Sequence, residues 1–302
     1  MLANMSETLS GYKVGFIGLG NMGWPMACHL QDAGADIVVW NRSEGPIIKA
    51  AEREMLVATD PETLVDAVGD GYICLNLTHN HVVESIVDII VPRLAEGAVV
   101  IDFGTTGYEE TLDFAQRAKD RGANWLDCPV SGGQVGAEAG NLTIMCGGEE
   151  SAFRRAEPLL QVVGEKITHM GTSGAGQVTK LANQLIVAQT IDAVAQALRM
   201  AELAGVDSGL VRDALRGGFA ESRILDLHGQ RMVNRDFAPG GRSELQLKDV
   251  RLMCELADRV GLESTTLQNS RNLWEKFVEE LGNGDLDHSG LFKLYDEVDD
   301  DA

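Results

Sequence analysis

Aromatic residues and paired cysteines are scarce in this sequence of 302 residues. Only 5% of the residues are aromatic, whereas 34 are glycine, a balance that favours an α/β protein with tight turns over an all-β protein. The five cysteines are scattered, odd in number and without a CxxC pair, which argues against a disulfide framework and against a zinc site. We therefore predict no metal site.

Long apolar runs are missing as well. No segment approaches the ~20 apolar residues of a membrane span, so no membrane partner is expected. Residues 1–12 have neither the apolar core nor the cleavage site of a signal peptide, and we interpret them as a loose leader. The resulting expectation is a cytoplasmic protein.

Basic residues are outnumbered, since 25 Lys and Arg stand against 46 Asp and Glu and the net charge is −21. Such a field repels nucleic acid, so no nucleic-acid partner is expected. It also repels anionic small molecules unless basic groups are concentrated locally. The few Lys and Arg beside glycine-rich turns are therefore the candidate ligand-binding residues, and the acidic segment 296–302 is interpreted as a solvated tail.

The chain is long enough for two domains. Over residues 13–172, short apolar runs alternate with helical patterns, which is typical of a doubly wound parallel sheet of the Rossmann type. Residues 173–295 have a mostly helical pattern and form a second predicted domain. The predicted strands are 13–18, 37–40, a short one near 56, 72–77, 98–102, a strand-like segment that leads into Asp127, and 142–148. The predicted helices are 24–34, 46–54, 61–68, 81–94 and 108–121.

A glycine motif follows the first predicted strand. Gly18, Gly20 and Gly23 have GxGxxG spacing, after a strand and before a helix. The first glycine permits a tight turn, the second lets a pyrophosphate approach the backbone, and the third lets helix and strand pack closely. We predict a dinucleotide site that comprises Gly18, Leu19, Gly20, Asn21, Met22 and Gly23.

The end of the second predicted strand indicates the type of dinucleotide. NAD sites usually have an acidic residue here that accepts hydrogen bonds from the ribose, whereas this chain has Asn41, Arg42 and Ser43. A cation and two hydrogen-bonding side chains suit a 2′-phosphate, so NADP is predicted and NAD is the weaker alternative. The competing interpretation is an arginine that merely faces solvent.

Two further loops and a glycine cluster are candidate ligand-binding segments. Residues 76–80 and 104–107 follow predicted strands, so Asn76 and its neighbours should line the cofactor cleft. Ser131, Gly132 and Gly133 offer a hydroxyl and backbone amides. This cluster is either a small anion-binding nest or a glycine-rich hairpin without a ligand.

One long helix is predicted between Gly176 and Gly205, where 28 residues contain no Gly and no Pro. Such a helix is about 42 Å long. Its first turns place Lys180, Asn183 and Gln184 on one face. The lysine is either functional or a residue that extends its ammonium to water along an apolar stem. Further along the chain, the neighbours Lys248 and Asp249 are by themselves typical of a surface pair.

Four separated stretches together resemble the β-hydroxyacid dehydrogenase family, which contains 3-hydroxyisobutyrate dehydrogenase, tartronate semialdehyde reductase and, more distantly, 6-phosphogluconate dehydrogenase. These stretches are GFIGLGNMG at 15–23, DCPVSGGQVGAEAG at 127–140, GTSGAGQVTKLANQ at 171–184 and LKDV at 247–250. The resemblance implies an N-terminal Rossmann domain and an all-helical C-terminal domain joined by the long helix, assembled as a homodimer or homotetramer.

The resemblance also implies residue roles. Lys180 matches the catalytic lysine and Asn183 the neighbouring substrate-binding amide. The loop that holds the substrate carboxylate corresponds to Ser131, Gly132 and Gly133, and the further cofactor contacts correspond to Thr105 and Lys248. A lysine flanked by apolar helix surface is desolvated, so Lys180 is predicted to act as general acid in reduction and as general base in oxidation.

Three positions depart from the family pattern. Asn76 and Leu77 stand where a Leu-Pro pair is frequent, Gly104 where the first residue of a Ser-Thr pair is expected, and Gly241 where many members carry a bulky aromatic residue. We expect a wider pocket and a different substrate from these changes.

The predicted function is an NADP-dependent oxidoreductase that interconverts a short β-hydroxyacid and its semialdehyde or keto acid, with a small carboxylate as substrate. One alternative is an NADPH-dependent imine reductase, although such enzymes typically lack a lysine at the catalytic position. The second alternative is a non-catalytic NADP-binding protein. The presence of Lys180 and Asn183 and the acidic composition count against it.

Overall fold

The computed structural model describes residues 8–296, and the chain forms two compact units, one that ends at Lys180 and one that begins at Leu181. Each unit has hydrophobic clusters of its own. The division falls inside a long helix, Ala175–Leu203. The predicted domain boundary at 172–173 lies just before this helix and stays a prediction.

Unit 1 is built on a sheet of nine strands within the described range. Six strands lie in the order β3-β2-β1-β4-β5-β6 and are parallel, which is the strand order of a Rossmann sheet. β8 pairs antiparallel with β6 and β7 and parallel with β9. The strands are β1 (Lys13–Ile17), β2 (Asp36–Trp40), β3 (Leu56–Val57), β4 (Tyr72–Leu75), β5 (Val99–Asp102), β6 (Asn124–Asp127), β7 (Val130–Ser131), β8 (Leu142–Gly147) and β9 (Gly164–Gly171).

Helices follow the strands as the alternating pattern predicts. They are α1 (Gly23–Asp32), α2 (Glu44–Glu52), α3 (Pro61–Val68), α4 (Asn80–Ile90), α5 (Tyr108–Lys119), α6 (Gly133–Ala139) and α7 (Glu150–Val163), and a 3₁₀ turn, Val91–Arg93, extends α4. Helices α6 and α7 and strands β7 and β9 are not among the predicted elements. The helical signal of α7 was present, because its buried residues recur at spacings of one, three and four, at Ala152, Phe153, Ala156, Leu159, Leu160 and Val163.

The strands of the parallel sheet are buried on both faces. Phe16 and Cys74 lie in one hydrophobic cluster together with residues of α1 and α7. Ile73 and Leu75 lie in the other, together with residues of α3 and α4. Alternate side chains of β4 therefore enter opposite layers, as a strand requires. The prediction of a doubly wound sheet is confirmed.

The prediction of a loose leader is wrong for residues 8–12. Leu9 is fully buried in the first cluster, and its backbone N–H donates to the carbonyl of Ala33 at 2.8 Å. Tyr12 stacks on Tyr72 with ring centroids 5.6 Å apart. The segment is short, but apolar burial fixes it to the end of α1 and to β4. The earlier part of the predicted leader, residues 1–7, lies outside the described residues.

The described part of unit 2 is helical, as predicted. Its elements are the continuation of α8 (Ala175–Leu203), then α9 (Ser208–Leu215), α10 (Arg223–Asn234), α11 (Ser243–Val260), α12 (Thr265–Glu275) and α13 (Lys293–Asp296). A π-helical turn, Lys276–Glu280, extends α12, and a 3₁₀ helix, His288–Phe292, precedes α13. The core gathers Leu181, Ile191, Leu198, Val250, Trp274 and Phe292.

The predicted acidic tail begins with an anchored residue. Asp296 accepts a hydrogen bond from Arg235 Nε at 2.8 Å, and Arg235 stacks over the ring of Phe292. This aspartate therefore belongs to unit 2, while the rest of the predicted tail, residues 297–302, lies outside the described residues. None of the helices within residues 8–296 has the length and apolar character needed to cross a membrane.

Candidate functional site

The glycine motif forms the turn between β1 and α1. Gly18 has a φ of 100°, a backbone conformation that residues other than glycine rarely adopt. A Cβ atom at Gly23 would lie 1.9 Å from the carbonyl oxygen of Gly18, so α1 packs directly on the turn. A Cβ atom at Gly20 would meet no atom within 4 Å. The open face of this glycine therefore fits a phosphate held at the start of α1, where the first turn has no acidic residue.

This difference between two glycines yields a prediction. Gly20→Ala should leave the unfolding temperature unchanged within about 2 °C, since the methyl group meets no protein atom, but should weaken dinucleotide binding at least about tenfold by occupying the phosphate position. Gly23→Ala should instead destabilise unit 1, because its methyl group overlaps the turn. Thermal unfolding and fluorescence titration with NADPH measure the two effects. If both variants bind NADPH as tightly as the wild type does, the predicted phosphate site is contradicted.

At the end of β2, the side chain of Asn41 bonds to the protein backbone, whereas it was predicted to contact a 2′-phosphate. Asn41 Oδ1 accepts a hydrogen bond from the backbone N–H of Leu19 at 2.9 Å, and Asn41 Nδ2 donates to the carbonyl of Ser43 at 3.1 Å. The side chain of Asn41 therefore ties the glycine turn to the end of β2. Arg42 and Ser43 are exposed, and within residues 8–296 no hydrogen bond or ion pair engages the Arg42 guanidinium. Of the three predicted 2′-phosphate contacts, these two present their side chains to solvent.

The loops after β4 and β5 lie at the same edge of the sheet as the glycine turn. The carbonyl oxygen of Asn76 lies so close to Gly18 that a Cβ atom there would approach it to 2.3 Å. A Cβ atom at Gly104 would lie 2.7 Å from the carbonyl oxygen of Leu77 and 3.1 Å from Asp102 Oδ1. Residue 104 is therefore glycine because two loops approach each other closely here, and its small size does not enlarge a pocket. Thr105, the predicted cofactor contact, follows directly and is half-buried.

The predicted carboxylate loop lies at the end of β7. Ser131 pairs with Thr143 of β8 and is half-buried. Gly132 and Gly133 are exposed and have φ values of 135° and 62°, and α6 starts at the second of them. The segment is thus a strand-to-helix turn, not a hairpin. Its glycines are needed for backbone conformation, and its role toward a ligand stays a prediction.

Lys180 lies in the second turn of α8, whose first turn is fixed by buried polar groups of unit 1. Asp127, at the end of β6, accepts hydrogen bonds from the backbone N–H groups of Gly174 at 2.8 Å and Gln177 at 2.9 Å. Burial raises the pKa of Asp127 to about 6, although these backbone donors favour the charged form. Lys180 itself is 9% exposed. Such burial is uncommon for lysine and argues against a side chain that merely extends to solvent.

Asn183 and Lys248, both predicted from the sequence, belong to one hydrogen-bonded network in unit 2. Asn183 Nδ2 donates to Gln184 Oε1 at 2.9 Å, and Gln184 Nε2 donates to Asp249 Oδ2 at 2.6 Å. Lys248 Nζ pairs with Asp249 Oδ1 at 3.0 Å. The Asp249 side chain is only 9% exposed, so the interpretation of a surface pair is wrong. Gln184 and Asp249 are not among the predicted site residues. The sequence does contain a signal for Gln184, because its spacing of four from Lys180 places both residues on one face of the helix.

The space expected beside Gly241 is occupied. A Cβ atom at this glycine would lie 2.7 Å from the imidazole ring of His288. The ring is held where a larger side chain at 241 would have to go, and burial lowers the pKa of His288 to about 4. The missing aromatic residue therefore does not leave a gap at this position of unit 2. Nothing in the local sequence around Gly241 indicates this replacement, because the two residues are far apart in the chain.

Comparisons with known proteins identify the family to which both parts of the chain are similar. The family model described as the NAD binding domain of 6-phosphogluconate dehydrogenase matches residues 13–171. The model described as the NAD-binding of NADP-dependent 3-hydroxyisobutyrate dehydrogenase matches residues 174–295. The 2-hydroxy-3-oxopropionate reductase of Escherichia coli (strain K12) is 40% identical over 285 residues, which cover 92% of this chain and 95% of the relative.

Solved structures agree as well. The 3-hydroxyisobutyrate dehydrogenase of Mycobacterium tuberculosis, solved with L-serine, is similar with a TM-score of 0.86 and 28% identity, covering 94% of this chain and 98% of that one. An imine reductase of Streptomyces aurantiacus has a TM-score of 0.61 at 18% identity, over 93% of this chain and 99% of that one, a likeness of the fold alone. The chain therefore belongs to the β-hydroxyacid dehydrogenase family and is an oxidoreductase with nicotinamide-dinucleotide-binding domains that acts on a CH–OH group.

Proposed function

We propose that the protein is an NADP-dependent reductase of a short semialdehyde carboxylate, with Lys180 as the proton donor to the carbonyl oxygen and as the proton acceptor in the reverse reaction. The observation that carries the proposal lies within unit 1. A buried lysine stands in the second turn of a helix whose start is hydrogen-bonded to the carboxyl end of the sheet. Ligands of such sheets bind at that edge, where the glycine turn also lies.

The chain's own residues account for cofactor binding. The open face of Gly20 and the start of α1 accept the pyrophosphate, and Arg42 with Ser43 accept the 2′-phosphate. Asn76 and Thr105 border the same edge of the sheet, and Lys248 is a further contact proposed from the resemblance. The nicotinamide, when bound, supplies or takes up the hydride.

The substrate class follows from the groups proposed to hold it. The exposed turn at Ser131, Gly132 and Gly133 offers a hydroxyl and backbone amides to a carboxylate. Asn183 is proposed to contact the substrate through its amide. The relative that is 40% identical is named a 2-hydroxy-3-oxopropionate reductase, so this semialdehyde is the first substrate that we propose. A homodimer or homotetramer in the cytoplasm is the accompanying proposal.

Two alternatives remain weaker. An imine reductase shares the fold, but its likeness to this chain is 18% in sequence identity, and a lysine at the position of Lys180 counts against it. A non-catalytic NADP-binding protein has no use for a buried lysine fixed at the ligand edge of the sheet.

The test is the oxidation of NADPH, followed at 340 nm, with a panel of carbonyl compounds. The panel contains 2-hydroxy-3-oxopropionate, succinic semialdehyde, methylmalonate semialdehyde, glyoxylate and one cyclic imine, each with NADPH and with NADH. We expect consumption of at least one semialdehyde, faster with NADPH. Turnover of the imine alone, or NADPH binding without any turnover, would overturn the proposed reaction.

The preference for NADP makes a separate prediction about Arg42. Arg42→Ala should weaken NADPH binding roughly 10- to 100-fold, because a charge-assisted hydrogen bond contributes about 1.5–3 kcal/mol, and should leave NADH binding unchanged. Fluorescence titration measures both affinities. Arg154→Ala, at an arginine of α7 that is 63% exposed, is the control. An equal loss for both dinucleotides would contradict a contact with the 2′-phosphate.

A further inference from the structure

A buried side-chain amide joins the loop after β5 to the first turn of α8. Gln177 is fully buried. Its Nε2 donates to the carbonyl of Gly104 at 2.9 Å, and its Oε1 accepts from the backbone N–H of Thr106 at 3.2 Å. The amide therefore spans the tripeptide whose middle residue is Thr105. Three residues later on the same face of the helix stands Lys180.

The partners of this amide are themselves fixed. Asp102, at the end of β5, accepts from the backbone N–H of Gly104 at 2.9 Å and from Thr106 Oγ1 at 2.7 Å. The backbone N–H of Gln177 donates to Asp127 at the end of β6. Two neighbouring strands thus hold one loop and one helix start through buried carboxylates, and the amide of Gln177 closes the connection between loop and helix. All of these groups belong to unit 1.

We propose that Gln177 is a positioning residue, which sets the placement of Lys180 relative to the loop at Thr105 and so aligns the proton donor with the reacting carbonyl. Glutamine suits this task because its amide donates to a carbonyl and accepts from an N–H at the same time. A shift of about 1 Å between reacting groups can lower a rate by about 100-fold. The inference rests on the proposed role of Lys180.

Gln177→Glu is the sharpest variant, because it keeps the size of the side chain. The ionised carboxylate still accepts from Thr106, but it repels the carbonyl oxygen of Gly104 instead of donating to it. Once protonated, the carboxyl regains the donor. Asp102 and Asp127 face this position from β5 and β6, and Lys180 lies on the same helix, so the two aspartates favour the protonated form.

The expected results concern catalysis more than binding. At pH 8, Gln177→Glu should lower kcat between about 10- and 100-fold, with KM for the aldehyde and Kd for NADPH changed less than about threefold. The ratio of the wild-type kcat to the variant kcat should decrease as the pH is lowered from 8 to 6, because the carboxyl introduced at position 177 then takes up a proton. The primary isotope effect with NADPH deuterated at C4 should increase, because misalignment makes the chemical step rate-limiting.

Controls separate positioning from folding. Gln196→Glu replaces an exposed glutamine of the same helix, which bonds to Asp192, and should leave all of these quantities unchanged. If Gln177 has only a structural role, the variant should lower kcat in proportion to the unfolded fraction measured by calorimetry, and the isotope effect and the pH profile should be unaltered. This outcome would overturn the inference. Lys180→Met, measured in parallel, distinguishes the two proposals. If that variant stays active, the proposed function fails, whereas loss of its activity beside an unimpaired Gln177→Glu enzyme overturns only the positioning role.

Discussion

Lys180→Met is expected to abolish turnover, with kcat lowered at least about 10³-fold, while NADPH binds with nearly unchanged affinity. Proton transfer by a positioned side chain contributes typically 10²- to 10⁴-fold to an enzymatic rate. Methionine keeps the length and apolar stem of lysine but has no proton to donate. Lys180 lies in the helix and not in the glycine turn, so the proposed dinucleotide contacts at Gly20 and Arg42 should stay intact. Single-turnover oxidation of NADPH and fluorescence titration measure the two quantities.

Burial makes this result easy to separate from a loss of stability. Lys180 is 9% exposed, and methionine is an apolar residue of similar size, so the unfolding temperature measured beside the activity shows whether a loss of turnover comes from unfolding. Lys119→Met, at an exposed position at the end of α5, is the matched control and should be fully active. Turnover within tenfold of wild type in Lys180→Met would refute a proton-donor role.

The local motifs of this fold were readable from the sequence because each depends on neighbours in the chain. The turn at Gly18 to Gly23 requires glycine for a positive φ and for contact between β1 and α1, and both needs are visible as spacing. The bounds of α3, Pro61–Val68, were predicted without error, since Asp60 caps the helix and proline occupies its first position. Periodicity gave the order of strands and helices from β1 to α5, but it did not indicate α6, α7 or β9.

The long-range polar contacts were not readable. Asp127 and Gln177 are 50 residues apart, and Gln184 and Asp249 are 65 apart. Nothing in the local sequence of either partner indicates the other. The same reason explains the error at Gly241, where the space expected to be empty contains His288 from a segment 47 residues later. Motifs thus indicated Lys180 as the proposed proton donor, but only the fold revealed the amide and the carboxylate that hold its helix.

A buried carboxylate organises the loop before α11 in unit 2. The Asp287 side chain is 1% exposed. It pairs with Arg231 Nη1 at 3.0 Å and His228 Nδ1 at 3.3 Å, and it accepts from the backbone N–H of Gly241 at 3.0 Å. Ser289 donates to it through both its hydroxyl and its backbone N–H. Burial by itself would raise the pKa of Asp287, but the close contact with His228 and the hydrogen bonds from Ser289 and Gly241 outweigh burial and hold the pKa well below its usual range.

Asp287→Asn should therefore lower the free energy of unfolding of unit 2 by about 3–5 kcal/mol, the usual cost of removing one partner of a buried ion pair. Because the folded-state pKa is depressed, the stabilisation by the carboxylate is fully present above the unfolded-state pKa of 3.8 and is lost as the pH falls below it. The difference between wild type and variant should therefore shrink as the pH falls below about 4. Calorimetry over this pH range measures it.

Asp285→Asn provides the matched control two residues away. The side chain of Asp285 is 88% exposed and lies 3.7 Å from Arg242, so its exposed ion pair should contribute less than about 1 kcal/mol. A stability loss of equal size in both variants would show that charge density near Arg242, and not the buried network of Asp287, stabilises the loop. A loss confined to Asp287→Asn, together with reduced turnover but unchanged NADPH affinity, would place the loop at Gly241 among the elements that unit 2 must hold in place for catalysis.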